Sequence, residues 1–179
     1  MLRNLKWEEG AVLSIQVEEG LFTLAQMRVN HLLEVFDVFR SDEDWSGVDL
    51  NSSEIIFCIF VSTKNIKGIF SSRVGDAVVP NSRPVKKRML SAIFGAPGSM
   101  GANFIDLSEG YSNIGADLIK ASLTLENDLD IIYNHELCGM VGNPERILKR
   151  LQVYHETGVN WDESKIFLFP DIKPPQPSR

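Results

Sequence analysis

An α+β fold dominated by antiparallel β-structure is what this sequence predicts, and three observations predict it. Residues 11–17 (AVLSIQV), 21–29 (LFTLAQMRV) and 31–39 (HLLEVFDVF) are strand-like runs that follow one another closely. The acidic turn Glu18-Glu19-Gly20 joins the first two as a hairpin, with Gly20 available for a positive φ. One later segment, beginning at Asn143-Pro144-Glu145, carries a full set of helix signals. A partly closed, barrel-like sheet with that helix packed on it accommodates all three.

Each element has its own reason. In the second run, Leu21, Thr23, Ala25, Met27 and Val29 share one face, and Phe22, Leu24, Gln26 and Arg28 share the other, which is strand periodicity. The third run also matches helical spacing at Leu32, Val35, Phe36 and Phe39, but its β-branched and aromatic content favours a strand broken from the second at Asn30. Residues 42–53 form a polar loop, and the apolar run 55–62 is the next strand. Residues 64–70 and 74–79 read as shorter strands ending at Pro80, and residues 89–94 as another. Five glycines between Gly95 and Gly115 predict an extended loop with a brief strand over 103–107. Apolar residues change parity between Leu118 and Ile119, which predicts a β-bulge in one long strand, with a helix over 116–125 as the competing reading. Residues 129–133 would pair back across the turn Glu126-Asn127-Asp128.

At the helix, Asn143 caps, Pro144 suits the first position and Glu145 complements the dipole. Ile147, Leu148, Leu151 and Tyr154 form its apolar stripe, and Gly158 is placed to end it. A final strand over 165–169 precedes a proline-rich tail at 171–179, expected to be flexible and too short to pack. Residues 1–170 are therefore expected to form a single domain, its β-meander portion at 1–80.

Composition bounds the function. The chain has 179 residues, 44% of them hydrophobic, and a formal charge of -6, which disfavours a general nucleic-acid binder. Its longest apolar run, 55–61, is too short to span a bilayer, and the N-terminus lacks a signal-peptide pattern. Cys58 and Cys138 therefore read as reduced thiols, and the expected address is the cytoplasm, with no membrane partner. Charge is uneven: Arg83, Lys86, Lys87 and Arg88 form a basic island without any acid between 81 and 100. A solvated strand or loop edge is the simplest reading of that island.

Catalytic motifs are sparse. Gly95, Gly98 and Gly101 lack dinucleotide spacing, no Gly-Lys-Ser/Thr closes a phosphate loop, and Ser99 sits outside a nucleophile elbow. His31, His135 and His155 are dispersed, and His135-Glu136-Leu137-Cys138 offers too few ligands for a closed zinc site. No catalytic residue, cofactor or metal is assigned on these grounds. An enzyme would be signalled by a deep pocket lined by His135 and perturbed carboxylates.

The opening Lys6-Trp7-Glu8-Glu9-Gly10, the strand over 12–17, the acidic-Gly turn, Met27-Arg28-Val29 and the run 33–38 ending in Phe36-Asp37-Val38 resemble immunity protein family 26. The strand at 55–61, Lys67-Gly68-Ile69 and Pro80 extend the resemblance over about the first 80 residues. It implies an immunity protein of a bacterial contact-dependent growth inhibition system. Such a protein binds and neutralises a cognate toxin C-terminal domain, for which a basic nuclease is the expected type, by covering its active-site surface. It carries over no catalytic residue. Acidic groups would be steered to such a groove, and Glu34, Asp37, Asp42, Glu43, Asp44 and Asp49, with Trp45 as an aromatic anchor, are the expected toxin-binding face. The alternative is a solvated acidic loop with Trp45 folded back onto the sheet. A β-barrel adaptor for some other protein, or a hydrolase, are the competing functions.

Overall fold

The computed structural model describes residues 5–95 and 100–179, so Gly98 and Ser99 lie outside the described residues. Five strands form the principal sheet: β1 (Val12–Glu18), β2 (Leu21–Met27), β3 (Leu32–Arg40), β5 (Ile55–Phe60) and β6 (Phe70–Val74). Their order is β5-β3-β2-β1-β6, every pairing antiparallel. The sheet is open rather than closed, with β5 and β6 as its edges. Gly20 has a φ of 70° in the first turn, and Asn30 and His31 both take left-handed conformations to turn β2 tightly into β3.

Both faces of this sheet are covered. Leu13, Ile15, Met27, Leu33, Val35 and Ile59 pack beneath Ile147, Leu151 and Tyr154 of the long helix α3 (Pro144–Thr157). That helix starts where Asn143 accepts a 2.9 Å hydrogen bond from the Glu145 amide. It ends where the amide of Gly158, at a φ of 71°, donates to the Tyr154 carbonyl. On the opposite face Val12, Leu24 and Phe36 meet Trp45, Leu50 and Val78. Farther along, Leu32, Cys58 and Phe60 meet Val85, Met89 and Ile105. Short strands β4 (Val48–Asp49) and β7 (Val78–Val79) pair in parallel over this second face.

A second sheet follows, β8 (Arg88–Ile93), β9 (Gly101–Asp106) and β10 (Asp117–Lys120), in the order β10-β9-β8. Its register shifts between Leu118 and Lys120, where the parity change predicted a bulge, but β10 stops at Lys120. Residues 129–133 belong to helix α2 (Leu125–Asn134) instead of a strand. Thr124 caps it by accepting from the Asn127 amide, while Asp128 accepts from the Thr124 amide, so the apparent turn is a helix start. Of the predicted strand over 64–70, residues 64–69 are likewise helical, as α1 (Thr63–Ile66) and a 3-10 turn (Lys67–Ile69), and Phe70 opens β6.

The predicted strand over 165–169 is helix α4 (Ser164–Leu168). Asp162 nucleates it by accepting from the amide and hydroxyl of Ser164. Lys165 is buried there, donates to the Tyr133 carbonyl and lies over the Trp161 ring; burial brings its pKa down to about 8. The tail, expected not to pack, is seated on α3: the Ser178 and Arg179 amides both donate to the Thr157 carbonyl. Cys58 and Cys138 are free thiols. Among the described residues no helix is long and apolar enough to cross a membrane.

Candidate functional site

The seven residues expected to form one acidic face separate into three environments. Asp42, Glu43, Asp44 and Asp49 stand on the loop that crosses the second face of the principal sheet. Asp42 accepts from the Asp44 amide at 3.1 Å, and Asp44 accepts from the amide and hydroxyl of Ser46 at 3.0 and 2.6 Å. Asp49 does the same for the amide and side chain of Asn51, both at 2.9 Å. These are side-chain turns in which a carboxylate substitutes for a backbone acceptor. Glu43 reaches across to β6 and accepts from the Ser71 and Ser72 hydroxyls at 2.5 and 2.7 Å. The Ser46 and Asn51 donors hold Asp44 and Asp49 below the ordinary aspartate value. At Glu43 burial acts upward, but the two serine hydroxyls outweigh it and the net shift is down. Glu43, Asp44 and Asp49 are thus held in the charged form, and all four carboxylates are fixed in place.

Asp37 lies on the other side of the sheet. It accepts from the Tyr154 hydroxyl at 2.9 Å and from the Arg179 guanidinium at 3.1 Å, so it ties strand, helix and tail together. Trp45 is only 3% exposed, packed with Val12, Leu24 and Phe36, and Arg40 lies 5.7 Å from its ring centroid. It is a core residue under the loop and offers no surface as an anchor.

Glu34, 1% exposed, is likewise unavailable at the surface. Its Oε2 accepts from Arg28 at 3.1 Å and from the Asn81 side chain at 2.9 Å. Gln26 exchanges two hydrogen bonds with the Asn81 backbone, and Arg28 also donates to the carbonyls of Asn81 and Arg83. Arg83 donates in turn to the carbonyls of Leu50 and Ser53. This buried clasp pins the end of the acidic loop and the chain after Pro80 to the same sheet. Burial pushes the Glu34 carboxyl up, opposed by Asn81 and Arg28.

Just beyond the clasp the basic island enters a site that sequence reasoning did not assemble. Residues 55–58 of β5 form one wall of a cleft of about 550 Å³, and residues 85–89 form the other. Asn134, His135, Glu136, Asn160 and Asp106 complete it. Two bridges bring the 134–141 segment here: Leu137 pairs in parallel with Leu90, and Val141 with Val61. No sequence motif marks this convergence.

Within the cleft the acids are engaged. Both Glu136 oxygens accept from Arg150, at 2.6 and 2.8 Å, and one also accepts from Asn160. Asp106 lies 3.9 Å from Arg88, a loose pair, and Lys87 is drawn out to Glu109 at 2.8 Å. Lys86 has no hydrogen-bond or ion-pair partner among the described residues. His135 has its Nδ1 3.0 Å from the Ile131 carbonyl, which places the proton on Nδ1 and leaves Nε2 as the acceptor. Its ring meets Phe104 edge-on, with centroids 4.4 Å apart. Burial lowers its pKa; the Ile131 carbonyl opposes this, and Lys165, Lys86 and Arg88 reinforce it. A histidine held below its usual pKa therefore stands beside the unpaired Lys86 and the loosely paired Arg88. Among the described residues no three His, Cys, Asp or Glu side chains are grouped to hold a metal ion.

No curated protein and no solved structure matches the chain. One family model covers residues 2–174, and so takes in the acidic loop, the clasp and the cleft alike. On that match the chain belongs to the family described as Domain of unknown function (DUF8309).

Proposed function

We propose that this protein is an immunity-type inhibitor that binds and neutralises a cognate bacterial toxin domain, a basic nuclease, in the cytoplasm. The observation that carries the reading is the fixed acidic loop. From Ser41 to Thr63 there are five acids (Asp42, Glu43, Asp44, Asp49 and Glu54) and no base. Three of these acids are locked by donors two residues farther along, and Glu43 by two serines. Carboxylates held before binding lose little conformational freedom on docking. Their field steers a cationic groove toward them and raises the association rate. The resemblance over the first 80 residues points the same way.

The docking face in this reading is smaller than the sequence suggests: Asp42, Glu43, Asp44 and Asp49, with Glu34, Trp45 and Asp37 supporting it from beneath and behind. The partner to test is the C-terminal domain encoded by the neighbouring upstream gene. Wild-type protein is expected to retain that domain in a pull-down and to inhibit its nuclease activity. A folded Asp42→Lys, Asp44→Lys double variant is expected to do neither at moderate salt. Equal retention and inhibition by the double variant would remove the acidic loop from the interface.

A further inference from the structure

We propose that the cleft between β5 and residues 85–89 is a binding site for a small organic anion, with an oxyanion head carried on an apolar body. The first support is the pattern of charge. Around the smaller cavity of about 220 Å³ beside α3 the cations are matched: Arg146 pairs with Asp162, Lys149 with Glu163 and Arg150 with Glu136. In the cleft, Lys86 is unpaired among the described residues and Arg88 is held only loosely. Lysine and arginine side by side in a concave, half-apolar wall form an oxyanion receptor.

A second support comes from the edge of the principal sheet. The Val61 amide donates to the His31 carbonyl, so along β5 residues 61, 59 and 57 turn their backbone groups toward β3. Residues 56, 58 and 60 turn theirs outward. Asn160 donates to the Ile56 carbonyl at 2.6 Å, and the Val141 amide to the Phe60 carbonyl at 2.8 Å. Between them the amide and carbonyl of Cys58 have no partner among the described residues, and Cys58 lines the cleft. Cys58 is the outward residue of this edge with neither group partnered among the described residues, and facing a cavity it leaves a donor for a ligand to satisfy.

The walls fix the rest of the ligand. Ile55, Val85 and Met89 supply apolar surface, and the volume falls within the range of small-molecule sites. His135, through Nε2, accepts from a protonated oxyanion or, once protonated itself, donates to a fully ionised one. Binding of a fully ionised head is therefore coupled to proton uptake at this ring. The charged groups facing it are Lys86, Arg88 and Lys165, with Glu136 next in the chain.

The test is a titration of the full chain with phenyl phosphate, phenylacetate and neutral phenol, followed by the imidazole NMR signals of His135 and by calorimetry. Saturable shifts at His135 with either anion, and none with phenol, are expected; the anion that binds identifies the head as phosphoryl or carboxylate. Lys86→Ala with Arg88→Ala, both at exposed positions, should weaken that binding by at least about tenfold while the melting temperature holds. Lys149→Ala, at the other cavity, should leave it unchanged. Absence of saturable shifts with both anions, or equal binding by the double variant, would overturn the proposal.

Discussion

The acidic loop and the basic cleft sit on either side of one buried clasp, and they are built by opposite means. In the loop, Asp42, Asp44 and Asp49 each take an amide from two residues farther along. In the cleft, the walls come from residues 55–58 and 85–89, and the floor from residues near 135 and 160. Charges fixed by neighbours in the chain make a self-contained protrusion. Charges brought together by tertiary pairing make a cavity whose electrostatics depend on the whole fold. The first suits contact with another surface, the second capture of something that fits inside.

The largest expected effects fall on the buried supports, Trp45 beneath the loop and Glu34 in the clasp. Trp45→Ala should cost about 3–5 kcal/mol through the cavity it leaves, and Glu34→Ala a similar amount, about 3–5 kcal/mol, by stranding Arg28 in the buried clasp. Urea denaturation measures both. A loss below about 1 kcal/mol for Trp45→Ala would return that residue to the list of surface anchors. Next in size is reversal of Asp42 and Asp44, which should lower partner affinity on the order of tenfold to a hundredfold at low salt and flatten its salt dependence. Asp44→Asn keeps the acceptor for Ser46 and removes only the charge, so its loss of affinity should come with no more than a slight fall in melting temperature.

The smallest effect separates the two regions by pH. His135 has its pKa lowered below the usual 6.5, so the unfolded chain binds the extra proton. Its contribution to stability is lost as pH falls below 6.5 toward the folded value. Asp44 and Asp49 are also lowered, from 3.8, so their contribution is present above 3.8 and lost only as pH falls through their folded values. Melting temperatures across this range should show a mildly acid decline that His135→Gln removes and Asp44→Asn leaves in place. The reverse assignment would mean that the cleft is not the drier environment.

What the sequence discloses follows the same division. Helix α3 was readable because Asn143, Pro144 and Gly158 signal within a single element, and the β10 bulge because apolar parity is a local pattern. The hairpin at Gly20 was readable for the same reason. Helices α2 and α4 were misread as strands: Thr124 and Asp128 form a reciprocal cap that looks like a turn, and α4 depends on Asp162 and on burying Lys165 against Tyr133. The polar loop at 42–53 was visible, and Trp45 folded back beneath it was the alternative reading; a lone tryptophan among acids carries no periodicity to decide between that and a surface anchor. The cleft was invisible. Its basic island and His135 are separated by about fifty residues, and the pairings of Leu90 with Leu137 and Val61 with Val141 bring them together.

The most direct measurement is a hydrogen-exchange footprint of the chain bound to the domain encoded upstream. Amides between 42 and 49 are expected to gain protection in the complex, with residues 85–89 and 134–136 unchanged. Protection confined to the cleft, with the loop exchanging as it does in the free protein, would contradict an interface built on the fixed carboxylates.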